Sequence, residues 1–119
     1  MEFDNSIPIY MQVINKIKKD IVSGTLKPGD KMPSTRDLAK KLGINPNTAA
    51  RVYKEMERDN LCYTKRGLGT YITESTDIIE LIRKETADEL INNFINGMLQ
   101  LGFNYEEMIN FIKKISNIK

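Results

Sequence analysis

Pro33-Ser34-Thr35-Arg36-Asp37-Leu38-Ala39-Lys40-Lys41-Leu42-Gly43-Ile44-Asn45-Pro46-Asn47-Thr48-Ala49-Ala50-Arg51-Val52-Tyr53-Lys54-Glu55-Met56 is the stretch that decides the fold. Ser34 with Asp37 three residues on is the pattern of a helix start, in which the hydroxyl accepts from an orphan backbone N–H. Leu38, Ala39 and Leu42 form the apolar side of the short helix that follows, and Arg36 and Lys40, four apart, point away from it. Gly43 provides the turn. Asn45 is an N-cap and Pro46 stands at the first helical position, so the next helix starts abruptly. In that helix Ala49, Val52, Tyr53 and Met56 share one face at spacings 0, 3, 4 and 7. Asn47, Arg51, Lys54 and Arg58, at 0, 4, 7 and 11, share the opposite face, with Thr48 beside them. Two short amphipathic helices joined at a glycine turn are a helix-turn-helix.

Immediately downstream, Leu61–Thr64 and Thr70–Thr73 are rich in Tyr, Thr and Ile and flank Gly67-Leu68-Gly69. They predict a hairpin that lifts Lys65 and Arg66 to an exposed tip, a wing on the helix-turn-helix. Upstream, residues 1–7 read as a loose arm and Pro8 falls in the first turn of a helix. Tyr10, Val13, Ile14, Ile17 and Ile21 line one face of that helix, and Gly24 ends it. Pro28-Gly29 is the signature of a type II turn, and Lys31-Met32 predicts one short extended step.

From Ser75 the character changes. Ser75 or Thr76 caps a long helix carrying Ala87, Leu90, Ile91, Phe94, Ile95 and Met98 at helical spacing, and Gly102 stops it. Asn104-x-x-Glu107 is a second capping box, with Phe103 and Met108 placed as its hydrophobic staple. A last helix follows, with Met108, Ile109, Phe111, Ile112 and Ile115 apolar. The expected architecture is mainly α with a small β-hairpin wing. Residues 1–74 form a winged helix-turn-helix DNA-binding domain, and residues 75–119 form a C-terminal two-helix dimerisation and effector tail.

The composition fits. Residues 1–74 hold 13 Lys/Arg against 9 Asp/Glu, a net of +4, whereas residues 75–119 hold 5 against 7, a net of −2. A basic front and an acidic back suit a front that meets phosphate. The chain has one cysteine, Cys62, and no histidine, so no internal disulfide forms and a metal site or a nucleophile–base pair is not expected. Cys62 reads as a small buried hydrophobe in a reducing cytoplasm rather than as a redox sensor. No apolar run approaches the ~20 residues of a membrane span. No cofactor, no membrane partner and no enzymatic activity are expected; Glu106 and Glu107 read as helix N-terminal charges rather than paired catalytic carboxylates.

The run Leu26-Lys27-Pro28-Gly29-Asp30-Lys31-Met32-Pro33-Ser34-Thr35-Arg36-Asp37-Leu38-Ala39, with Asn45-Pro46-Asn47-Thr48 and Gly67-Leu68-Gly69-Thr70, resembles the GntR-type bacterial transcription regulators. The Pro8-Ile9-Tyr10 start and the short tail look like the small YtrA-like branch. The resemblance spans nearly the whole DNA-binding half; for the tail it is one of size and helix content. It implies that the arginine at the start of the second helix, the start of the recognition helix and the wing tip meet the operator. On this chain those are Arg36, Asn47, Thr48, Arg51 and the wing Lys65–Gly69. Many relatives outside this branch have arginines where this chain has Pro46 and Ala50, so base readout here must differ from theirs. The resemblance also suggests transporter operons as typical targets.

Taken alone, Arg36 and Arg51 are ordinary surface arginines; in this motif order both face outward near the two helix starts. Arginine pairs bidentately with guanine, which discriminates by about 1–3 kcal/mol, and Asn47 suits adenine. Ser34 and Thr35 are placed to reach phosphates through hydroxyl and N–H groups. Lys65 and Arg66 suit the minor groove. The DNA-binding set is therefore Ser34, Thr35, Arg36, Asn45, Asn47, Thr48, Arg51, Lys54, Lys65, Arg66, Gly67 and Gly69. The dimerisation set is Leu90, Ile91, Phe94, Ile95, Met98, Met108, Phe111, Ile112 and Ile115, because two helices this apolar cannot bury one another fully. The expected function is sequence-specific regulation of transcription, as a repressor on a pseudo-palindromic double-stranded DNA operator, by a homodimer. The tail is too small to enclose an ordinary ligand pocket of roughly 300–1,000 Å³. If a small-molecule effector exists, it is therefore expected between subunits or between tail and DNA-binding domain. The competing reading is a winged-helix protein–protein module, which leaves the outward Arg/Lys/Asn set without a role.

Overall fold

The computed structural model describes residues 1–118. Five helices and one hairpin follow in the order α1 (Ile9–Val22), α2 (Thr35–Leu42), α3 (Pro46–Arg58), β1 (Cys62–Lys65), β2 (Gly69–Ile72), α4 (Thr76–Gln100) and α5 (Tyr105–Ile118). The mainly helical fold with a β-hairpin wing is the expected one. Two compact units make up the chain, Met1–Arg83 and Lys84–Lys119. The first continues past Glu74 because the start of α4 belongs to its core: Ile82 is buried there, and Ile78 and Ile79 pack against it.

Within the first unit, α1 contributes Val13, Ile17 and Ile21, α2 contributes Leu38 and Ala39, and α3 contributes Ala49, Val52, Tyr53 and Met56. Met32, Leu61, Cys62 and Ile72 close the core from the loop and the hairpin. Helix α1 begins at Ile9, one residue later than a proline in the first turn would require. Pro8 has ψ 136° and is the N-cap, its carbonyl accepting from Met11 and Gln12 N–H. Residues 1–7 are not the loose arm of the sequence reading. Gln12 accepts from Asp4 N–H at 2.8 Å and donates to the carbonyls of Asp4 and Ile7, while Phe3 packs on the core.

The helix boundaries follow local chemistry. Ser34 Oγ accepts from Asp37 N–H at 3.1 Å, and Asn45 Oδ1 accepts from Asn47 N–H at 2.8 Å with Pro46 at the first position. Gly43, at φ 66°, ends α2 in the left-handed region, where the amides of Gly43 and Ile44 bond back to Lys40 and Ala39. At the Pro28-Gly29 turn, Gly29 has φ 81° and Asp30 N–H bonds to the Lys27 carbonyl. The short extended step is present as a bridge between Lys31 and Tyr71, which gives the hairpin a third edge. The hairpin pairs Cys62 with Ile72, Tyr63 with Tyr71, Thr64 with Thr70 and Lys65 with Gly69.

In the second unit α4 ends at Gln100 and the chain turns at Gly102, φ 89°, with Phe103 N–H returning to the Met98 carbonyl. The Asn104–Glu107 box is formed in both directions, at 2.9 and 3.1 Å. Met108 is enclosed at 2% exposure, and Phe103 meets Phe111 edge-on at 5.2 Å between ring centres. Among the described residues no helix is long and apolar enough to cross a membrane.

One directional bond ties the recognition helix to the chain before α2: Tyr53 Oη donates to the Pro33 carbonyl at 2.6 Å. Tyr53→Phe removes that bond and leaves the carbonyl half-buried, so unfolding in urea is expected about 0.5–1.5 kcal/mol earlier with an unchanged slope. Burial, and then the neighbouring charge of Glu57, pushes the Cys62 thiol up to about 11 from 9.0. Burial raises the Tyr53 phenol as well. Both groups keep their protons in the folded state after the unfolded chain has begun to lose them. Stability is therefore present below pH 9 and declines as pH rises from 9 towards 11 and beyond. Denaturant midpoints measured across that range check this, and Cys62→Ala should flatten the first part of the decline.

Candidate nucleic-acid interface

The residues proposed to meet DNA lie on three elements of the first unit. Arg36 follows the α2 cap, is exposed, and has no ion pair among the described residues; Thr35 beside it is half-buried. Ser34 is exposed, but its hydroxyl already accepts the capping bond, which leaves it the role of a donor towards anything outside. Likewise the Asn45 side-chain carbonyl oxygen is engaged at the start of α3, accepting from Asn47 N–H.

On α3 the outward face is as the spacing requires: Asn47, Arg51 and Lys54 are exposed and Thr48 is half-buried. They face outward because Ala49, Val52 and Met56, each at 0% exposure, hold the other face inside. Arg58, on the same outward line, is tied to Glu55 and lies 3.7 Å from Asp59, so it offers less free charge than its spacing implied. Arg51 also carries restraints. Its Nε lies 3.9 Å from Glu55 Oε1, and its guanidinium carbon stands 3.8 Å from the centre of the Tyr10 ring. These surface pairs contribute little stability, but they fix direction.

The wing has its own scaffold. The register sets Tyr63 opposite Tyr71, and the two rings stack at 5.8 Å. Lys65 Nζ sits 4.7 Å from the Tyr71 ring centre and 5.8 Å from that of Tyr63. Lys65 is therefore held against the flank of the wing, whereas Arg66 and Leu68 stand exposed in the loop beyond it. Leu68 N–H closes the turn onto the Lys65 carbonyl at 2.9 Å, with Gly67 at φ 78°. Gly69, at φ 122°, meets the Lys31 side chain: a Cβ there would come within 3.1 Å of Lys31 Cε.

The structure thus brings the expected DNA set onto a single unit, with Arg36, Arg51, Lys54, Lys65 and Arg66 as that set's exposed cations. Tyr10, Lys31, Tyr63 and Tyr71 support it, a role their sequence positions do not show. Tyr10 reads in sequence as one more member of the apolar stripe of α1, and nothing in that stripe reveals a cation above it. The Tyr63–Tyr71 pair was legible once a hairpin register was assumed.

Such an arrangement is that of a winged helix-turn-helix regulator of transcription. Residues 9–72 match the family described as bacterial regulatory proteins, gntR family, and the chain belongs to it. Two Bacillus subtilis relatives, the uncharacterised HTH-type transcriptional regulator YhcF and the HTH-type transcriptional repressor YtrA, are each 40% identical, over 112 and 113 residues. The alignments cover 94% of this chain in both cases, and 93% and 87% of those proteins. Similarity to YtrA agrees with the small YtrA-like branch suggested by the short tail. A GntR family transcriptional regulator from Listeria monocytogenes has the same fold at TM-score 0.86 and 46% identity, over 94% of this chain and 98% of that one. The DNA-binding domain of AraR, solved in complex with operator ORR3, matches 61% of this chain and 86% of that one at TM-score 0.54 and 27% identity.

Proposed function

We propose that this regulator is a repressor that binds a pseudo-palindromic operator as a homodimer, with the outward face of α3 in the major groove and the wing over the adjacent minor groove. The observation that carries this reading is the one-sided α3, whose inner face is fully buried while Asn47, Arg51 and Lys54 stand outward beside Arg36 and a basic wing. The AraR domain bound to an operator supports the use of this fold on DNA, and the repressor YtrA supports the sign of regulation.

The dimer reading rests on the tail. Leu90, Ile91, Phe111, Ile112 and Ile115 are exposed, Phe94 is 37% exposed, and Ile95 and Met98 are half-buried. Met108 departs from that set: it is already buried, at 2% exposure, in the single chain. An exposed apolar surface of this kind fits a two-fold interface. A small effector acts, in this reading, across that interface or between tail and DNA-binding domain. The tail's own cleft, lined by Glu107, Asn110, Phe111 and Lys114, is only about 230 Å³, below the roughly 300–1,000 Å³ of ordinary ligand sites.

Binding to the DNA upstream of the protein's own gene, titrated at several salt concentrations, tests the function. With about 6–10 phosphate contacts, affinity is expected to fall by roughly 10³–10⁵ between 50 and 200 mM salt. Arg51→Ala should relax base preference, and Lys65→Ala should weaken all sequences alike. Failure to prefer this DNA over a scrambled duplex would favour the protein–protein module instead. For the tail, Phe94→Asp is expected to convert the dimer to a monomer in sedimentation equilibrium while the far-ultraviolet spectrum stays helical. A dimer that survives this change places the interface elsewhere.

A further inference from the structure

The start of α1 reaches the outward face of α3. Tyr10 lies beneath the Arg51 guanidinium, and Glu55 stands at the Nε edge, itself held by Arg58 through its other oxygen. One face of the guanidinium is therefore covered, and its Nε edge is turned towards Glu55 at 3.9 Å. Its two terminal nitrogens have no partner among the described residues. Around them Ile9, Tyr10, Asn47, Thr48 and Arg51 line an open cleft of about 390 Å³.

We propose that this cleft is a base-reading subsite for a guanine next to a thymine, in which Tyr10 is a positioning residue that holds Arg51 for the guanine. The proposal rests on the DNA-binding function above and specifies how its reading surface is built. Bidentate pairing to guanine O6 and N7 needs two donors presented together. With Nε facing Glu55, the two terminal nitrogens are the pair left to supply them. A loose arginine gives up rotamer freedom to adopt that geometry, whereas one already stacked on a ring gives up less. Ile9, at 40% exposure, provides beside it the apolar surface that a thymine methyl meets. The buried part of the α1 stripe is Val13, Ile17 and Ile21; Tyr10 is only half-buried, and its hydroxyl makes no hydrogen bond among the described residues. Its ring is thus free to serve the arginine while its inner side rests on the core.

Fluorescence anisotropy with the full chain, on the DNA upstream of its own gene and on a scrambled duplex, tests this. Tyr10→Leu is expected to lower the ratio of specific to scrambled affinity by about 2–5-fold, the scale of an exposed cation–π contact. Tyr10→Phe, which keeps the ring, should keep the ratio. In an Arg51→Ala background Tyr10→Leu should cost nothing further. Independently of any substitution, 7-deazaguanine placed at each guanine in turn should weaken the unmodified protein at one position per half-site. A ratio retained in Tyr10→Leu, an effect fully additive with Arg51→Ala, or insensitivity to every 7-deazaguanine overturns the proposal alone. No preference for this DNA in the unmodified chain overturns the DNA-binding reading and this proposal together.

Discussion

The first unit depends on α3 being buried along one side only. Ala49, Val52 and Met56 have no exposed surface and Tyr53 has 6%. Enclosing side chains the size of Val52 and Met56 contributes on the order of 1.5–3 kcal/mol each. A helix turns about 100° per residue, so fixing that face fixes the opposite one. Asn47, Arg51 and Lys54 are presented outward because their neighbours in the turn cannot leave the core. Tyr53 adds direction to what is otherwise a non-directional hold, since its hydroxyl reaches the Pro33 carbonyl across the entry to α2. The two helices of the motif are in this way joined at Pro33 as well as at the turn between them.

Chain reversals complete the arrangement. Gly43 and Asn60 end α2 and α3 in the left-handed region, and in both cases the following amide returns to a carbonyl five residues earlier: Ile44 to Ala39 and Leu61 to Met56. Asn60, at φ 62°, is the only non-glycine with positive φ among the described residues, and its short amide side chain tolerates what a branched one would not. Because α3 stops there, Leu61 and Cys62 enter the core and the hairpin begins at once. The wing then carries an aromatic platform, Tyr63 against Tyr71, on which the Lys65 ammonium rests. A cation held over rings stays near the backbone it guards without giving up its charge.

The tail follows a different logic. Its Asn104–Glu107 box is formed in both directions and Met108 is enclosed, yet Leu90, Ile91, Ile112 and Ile115 stay exposed. The long helix α4 also serves two purposes, with Ile78, Ile79 and Ile82 spent on the core of the first unit. Its apolar residues therefore do not form one stripe along its length. A helix that belongs to two packing environments need not share a single face between them.

Capping chemistry and apolar periodicity, which act within a few residues, were decided by the sequence alone. Ser34, Asn45-Pro46, Gly43, Gly102 and the Asn104–Glu107 box mark their helix ends without help from distant contacts, and the inner face of α3 is readable from its spacing. The family resemblance added the order of elements and the expected contact residues. What only the tertiary structure decided are the contacts between residues far apart in the chain. Tyr10 beneath Arg51, Lys31 beside Gly69 and Ile82 in the core of the first unit all depend on how separate elements come together. No local pattern encodes such approaches, because a tyrosine on an apolar stripe looks the same whether its ring meets a leucine or a guanidinium. That is why the sequence identified Arg51 as the residue to watch, and the packing of α1 against α3 decided how it is held.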